Sequence, residues 1–163
     1  GGLFRLEDIM EITKRFKVEM AHRVLDAYTE RCNGLHGHSY KIDLTLVSDK
    51  LDRTGMVIDF KKVKEVFGRV IDAFDHAIVV WSRDYDLLFF VEQLNSRYVI
   101  VPYNPTAENM AMHFWVEAKG QGLPVASVTV WETESSCATF SGPEEAVDFA
   151  TEAVIYSVES SGI

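Results

Sequence analysis

From Lys14 to Arg23 the side chains alternate: Phe16, Val18, Met20 and His22 fall on one side, Lys17, Glu19, Ala21 and Arg23 on the other. A period of two predicts a half-buried strand. The same period runs over 36–47, with His36, His38, Tyr40, Ile42, Leu44 and Leu46 on one face and Gly37, Ser39, Lys41, Asp43 and Thr45 on the other. Between these strands no period is sustained and Asn33-Gly34 is a turn signal, so the stretch reads as a loop. After a turn at 52–55 the period lengthens. Asp59 stands as N-cap before Phe60, Val63, Val66, Phe67, Val70, Ile71 and Phe74, a helical stripe that delivers Asp75-His76 at its far end. A shorter helix is expected over 84–95 and a short strand over 97–102, then a helix capped by Asn104 or Thr106 and ending near Gly120. Residues 125–133 read as a strand with 136–142 as its hairpin partner. Ser141 to Glu144 resembles a capping box for a last helix through about Tyr156. Strands in adjacent pairs, rather than alternating with helices, predict an α+β fold: an antiparallel sheet with helices on one face.

Composition narrows the picture. A chain of 163 residues that is 47% hydrophobic can bury one sizeable core, and no repeat or Pro-rich linker divides it, so 1–163 reads as one domain. A formal net charge of -9 argues against a general affinity for nucleic acid or an anionic membrane. Two cysteines, Cys32 and Cys137, are too few for a disulfide framework, and no apolar run is long enough to span a bilayer. With no signal sequence evident, the expectation is a reduced, cytoplasmic protein.

The candidate chemistry lies in the histidines. If the first two strands are antiparallel, His22 at the end of one lies beside His36 and His38 at the start of the other, all on the apolar face. Three imidazoles with an open fourth position suit a catalytic zinc, although nickel and iron(II) also accept such ligands. Cys32 is either a fourth ligand, which would close the site, or a nucleophile or base held near the metal. Adjacent Asp75-His76 at a helix end usually means solvation, but a carboxylate can also orient an imidazole for proton transfer. His113 falls on the polar face of its helix and reads as solvated, and Cys137 reads as a small core residue. Glu132 shares the strand face of Ala126, Val128 and Val130. Either the strand is ending there or the carboxylate receives a ligand, such as the two parallel N–H donors of a pterin or guanine edge.

Six stretches, "FKVEMAHRV", "CNGLHGHSYKIDL", "TGMVIDFKKVK", "FDHAIVV", "PTAENMA" and "VTVWET", occur in the order seen in the 6-pyruvoyl-tetrahydropterin synthase and 6-carboxy-5,6,7,8-tetrahydropterin synthase superfamily, which this chain resembles over about 14–134. The resemblance implies the tunnelling fold: a four-stranded antiparallel sheet with helices packed on one face, assembled into ring homo-oligomers, trimers or hexamers. It implies zinc on His22, His36 and His38, catalytic Cys32, a proton-relay pair Asp75 and His76, a pterin-anchoring Glu132, and Thr106 and Glu108 lining the pterin pocket. The implied substrate is 7,8-dihydroneopterin triphosphate. The spacing from Cys32 to His36-Gly37-His38 resembles the carboxy-forming branch, which makes 6-carboxytetrahydropterin, acetaldehyde and triphosphate on the route to queuosine-type nucleosides. The alternatives are the pyruvoyl-forming reaction without side-chain cleavage and a non-catalytic zinc- or pterin-binding protein. Residues 1–13, the segment 80–103 and a helical 143–163 stand out as additions to the family pattern.

Overall fold

The structure, a computed structural model, describes residues 9–157. Strand β1 (Met10–His22) pairs with β2 (His36–Ser48) along their whole lengths, from Met10 opposite Ser48 to His22 opposite His36. This register follows from the two alternating patterns: a slip of one residue would turn every buried side chain of a strand outward. The one-turn helix α1 (Glu30–Asn33) lies between them, where a loop was expected. Helix α2 (Phe60–Phe74) starts at Asp59, whose carboxylate accepts the Lys61 N–H at 2.8 Å. Strand β3 (Ala77–Trp81), helix α3 (Tyr85–Gln93) and strand β4 (Tyr98–Val101) follow. Helix α4 (Ala107–Gly120) is capped by Thr106, and β5 (Val125–Trp131) and β6 (Cys137–Phe140) form the expected hairpin. A 3-10 turn (Glu144–Ala146) and the two-residue β7 (Ile155–Tyr156) complete the described chain.

The sheet has seven strands in the order β6-β5-β2-β1-β3-β4-β7. Its antiparallel part, β6-β5-β2-β1, is the four-stranded sheet expected from the sequence. The other three strands correct that expectation, because β3 runs parallel to β1 and β4 parallel to β3, which makes the sheet mixed. Helical crossovers through α2 and α3 permit those parallel pairings. The strand β3 was missed because "AIVVW" is apolar on both sides, and a short continuous apolar run has no telling period. Ala77 and Val79 enter the main core, whereas Val80 packs with Leu87 and Val91 of α3 in a second, smaller cluster. Helix α3 therefore covers the opposite face from α2 and α4, and the helices are not all on one side.

Two boundary expectations also change. Residues 10–13 belong to β1, so the addition before the family pattern is shorter than 1–13. No α-helix forms over 143–157, only the 3-10 turn at its start: Val147 and Phe149 are buried with Asp148 exposed between them, a spacing of two rather than 3.6. Residues 158–163 lie outside the described chain. Gly142 turns the chain into this segment at φ +90, and a Cβ there would meet the Trp115 ring at 2.8 Å, so the turn needs glycine on both counts.

The main core fills the space between the sheet and α2 and α4. Phe67, Phe74 and Phe114 meet edge to face, and Ile42, Leu44 and Val130 lie beneath them without solvent exposure. Each such side chain contributes about 1.5–3 kcal/mol by leaving water. The same face of β1 and β2 runs on, beyond Tyr40, into the histidines. The core thus supplies the rigid floor from which they project.

Candidate metal centre and substrate cavity

The β1–β2 register sets His22 opposite His36, with His38 one step along. Their rings meet edge to face with centroids 4.8 Å (His22–His36), 4.8 Å (His36–His38) and 5.3 Å (His22–His38) apart. Glu132, the residue after β5, brings its Oε1 to 3.2 Å from His22 Nε2 and 3.1 Å from His38 Nε2. One ligand atom from each of these four residues lies within 4.8 Å of every other.

Hydrogen bonding at the back of the rings fixes what they present. His22 Nδ1 lies 2.7 Å from the Pro105 carbonyl oxygen and His36 Nδ1 2.7 Å from that of Gly34. A carbonyl only accepts, so each Nδ1 carries the proton and each Nε2 presents a lone pair. Burial lowers the His38 pKa, against the pull of Glu132, and its buried Nε2 has no hydrogen-bond partner. Hydrogen bonding to His22, ahead of the opposing cost of burial, holds the Glu132 carboxyl below the usual carboxylate range and keeps it ionised. That bond requires a proton on His22 Nε2, while Pro105 claims the proton on Nδ1. A ring serving both would carry a full charge at 1% exposure. A cation among the three Nε2 atoms and the carboxylate removes the conflict, so these residues fit a divalent metal ion. Tyr40, its hydroxyl 3.2 Å from His22 Nε2, stays protonated because burial, and then the Glu132 charge, raises its pKa.

Beside the cluster opens a cavity of about 490 Å³ lined by Thr29, Cys32, Asn104, Thr106, Glu108 and Glu132 among others. Of the residues singled out from sequence, Cys32, Thr106, Glu108 and Glu132 thus share one cavity. Cys32 is exposed and unpaired, and it is absent from the metal cluster. Asp75 and His76 sit elsewhere. A second groove of about 340 Å³ is lined by His76, Glu19, Ser39 and His38. His76 adopts φ +60, unusual without glycine, and the β1 backbone pins it there: its N–H donates to the Glu19 carbonyl at 2.7 Å, and the Glu19 N–H donates to Asp75 at 2.9 Å. Asp75 Oδ2 faces His76 Nδ1 at 3.1 Å, so carboxylate and imidazole are paired and the ring projects into solvent at 73% exposure. Among the described residues, Cys32 and His76 line different cavities.

Four features were not legible in the sequence. Glu132 belongs to the metal cluster as well as to the cavity. The carbonyls of Gly34 and Pro105 orient two of the rings, and backbone groups leave no trace in residue identity. His113 is not solvated: it is 4% exposed, its Nδ1 accepts from the Tyr103 hydroxyl, and its Nε2 lies 3.4 Å from Glu117. Cys137, expected in the core, is exposed on the edge strand β6.

Fold and site together define an α+β protein in which three histidines and a carboxylate form a cluster that could hold a metal ion, beside a ligand-sized cavity. The chain belongs to the 6-pyruvoyl tetrahydropterin synthase family, whose pattern matches residues 11–143. It is 34% identical over 137 residues to a 6-carboxy-5,6,7,8-tetrahydropterin synthase of Haemophilus influenzae, covering 78% of this chain and 96% of that one. It is also 32% identical over 156 residues to an Aquifex aeolicus protein of the same name, covering 80% and 96%. Among solved structures, a protein from Wolinella succinogenes superposes with a TM-score of 0.69 at 25% identity, covering 84% of this chain and 100% of that one. The 6-pyruvoyl tetrahydropterin synthase of Caenorhabditis elegans does so with a TM-score of 0.60 at 25% identity, covering 83% and 97%. Among the described residues no helix is long and apolar enough to cross a membrane.

Proposed function

We propose that this chain is a 6-carboxy-5,6,7,8-tetrahydropterin synthase: a zinc-dependent lyase that converts 7,8-dihydroneopterin triphosphate to 6-carboxy-5,6,7,8-tetrahydropterin, acetaldehyde and triphosphate. The observation that carries this reading is the convergence of His22, His36 and His38 beside a cavity lined by Cys32, in a chain so similar to enzymes of that name. In this reading the three histidines hold the ion. When bound, zinc supplies Lewis-acid polarisation of the side-chain hydroxyls of the substrate. Glu132 anchors the pterin by accepting its parallel N–H donors, and Thr106 and Glu108 line the same pocket. Cys32 exchanges a proton with the substrate side chain, and His76, oriented by Asp75, exchanges the other.

A ring homo-oligomer, trimer or hexamer, belongs to the same proposal. Among the described residues β6 pairs on one side only, and β1 meets β3 only at Met20 and Ala21, so both strands keep free hydrogen-bonding edges. Cys32 and His76 of one chain also face different cavities, which a neighbouring copy would reconcile. The unpaired cysteines accord with a cytoplasmic site of action.

Mass spectrometry of the products formed by zinc-loaded protein from 7,8-dihydroneopterin triphosphate tests the reaction. Carboxytetrahydropterin with acetaldehyde is the expected outcome. A pyruvoyl product would move the chain to the other branch of its family, and no turnover with zinc bound would make it a binding protein.

A further inference from the structure

The cysteine of the cavity is carried on a loop, 24–33, that is fastened by two asparagine side chains. Asn33 holds the loop to itself: its Oδ1 accepts the Ala27 N–H at 3.1 Å, and its Nδ2 donates to the Ala27 and Thr29 carbonyls at 3.1 and 3.2 Å. Asn104 holds the loop to the rest of the protein. Its Oδ1 accepts the Leu25 N–H at 3.2 Å and its Nδ2 donates to the Leu25 carbonyl at 3.0 Å, so one side chain pairs with both polar groups of Leu25 as a neighbouring strand would. The Val24 N–H donates to the Cys32 carbonyl at 2.8 Å and closes the loop at its neck. Among the described residues, the loop's only hydrogen bonds to a residue outside 24–36 are those to Asn104.

Asn104 is itself fixed. Its carbonyl accepts from Asn109 Nδ2 at 2.9 Å and from the Thr106 N–H at 2.7 Å, and the next carbonyl, of Pro105, is the one that orients His22. One short segment, 104–106, therefore faces three parts of the site: the Cys32 loop through Asn104, the metal strand through Pro105 and the cavity wall through Thr106. We propose that Asn104 is a positioning residue that sets where the Cys32 thiol stands relative to the metal centre. It acts through the Leu25 backbone, with its own side chain at the cavity wall. Such a clamp matters because displacing a reacting group by about 1 Å costs on the order of 100-fold in rate.

The inference rests on the proposed reaction for its kinetic arm only. In a Cys137→Ser background, so that Cys32 is the sole thiol, Asn104→Ala and the isosteric Asn104→Asp are compared with the parent after zinc loading. The expected results are retained fold and zinc content, a fall in kcat of roughly 100-fold for Asn104→Ala with a much smaller change in KM, and, since Cys32 is already exposed, a rate of alkylation by iodoacetamide that differs from the parent's by at least about threefold as the surroundings of the thiol change. Asn104→Asp, which replaces the donor to Leu25 by a charged acceptor, is expected to shift both readouts in the same direction. Unchanged alkylation and kcat in folded, zinc-loaded variants would overturn the assignment. Loss of zinc in step with activity would also overturn it, because Asn104 would then act on the histidines through Pro105. A parent protein that turns over no pterin would sink the proposed reaction while leaving the alkylation comparison to decide the role of Asn104.

Discussion

The protein buries two histidines almost completely, and they have opposite fates. His22, 1% exposed at the end of β1, spends its Nδ1 on the Pro105 carbonyl and turns Nε2 toward two other imidazoles and a carboxylate. His113, 4% exposed on α4, accepts from the Tyr103 hydroxyl at Nδ1 and faces Glu117 with Nε2. Burial holds Tyr103 protonated as a donor by raising its pKa, so both ring nitrogens of His113 have partners. The space around it, closed by Phe149 and Val154, is about 30 Å³, room for about one water. Burial alone does not mark a histidine for chemistry. What separates the two is the company of the second nitrogen: His113 Nε2 faces Glu117 alone, whereas His22 Nε2, beside the Tyr40 hydroxyl, shares a cluster of ligand atoms with two other imidazoles and a carboxylate next to a cavity.

Substitutions can break this contrast or sharpen it. His22→Ala is expected to have the largest effect: loss of bound metal and a fall in turnover of about 1000-fold or more, some 4 kcal/mol of barrier. Metal analysis and product formation check it, and a variant that keeps its metal would place the centre elsewhere. Cys32→Ala should keep the metal and lose about 100- to 10,000-fold in turnover, the range for a proton-transfer group. Loss of the metal would instead make Cys32 a ligand. His113→Ala should leave metal binding intact and lower stability by about 2–4 kcal/mol, from the cavity and the stranded Tyr103 hydroxyl. Urea unfolding measures the loss, and an unaltered midpoint would mean that the two histidines differ less than their surroundings suggest.

The smallest expected effect concerns the tie between β1 and α3. Arg23, next to His22, forms a two-pronged ion pair with Asp84, which is 3% exposed and also accepts the Leu87 N–H at the start of α3. The Arg23 hydrogen bonds hold the Asp84 carboxyl below the usual range, against burial. A depressed folded-state pKa stabilises the protein above the ordinary carboxylate pKa, and that contribution is lost as pH falls through the folded value. Asp84→Asn is therefore expected to cost about 1–3 kcal/mol at pH 7. The deficit relative to the parent should shrink below about pH 4 as the parent carboxyl protonates. Equal deficits at pH 7 and pH 3 would show that the charge on Asp84 is not what matters.

Alternation along 14–23 and 36–47 determined the two long strands, their shared apolar face and the meeting of His22, His36 and His38, because a strand's period is local and an antiparallel register follows from matching buried faces. Caps at Asp59 and Thr106 likewise marked two helices through residues adjacent in sequence. Tertiary structure alone decided the rest. Val80 was turned toward α3 because that helix packs on the second face of the sheet. His113 was buried because the segment after Pro143 crosses what would otherwise be the wet side of α4. Glu132 joined the histidines, and the carbonyls of Gly34 and Pro105 chose which nitrogen each ring presents. These outcomes depend on groups far apart in the chain, or on backbone atoms common to every residue, and neither leaves a local pattern.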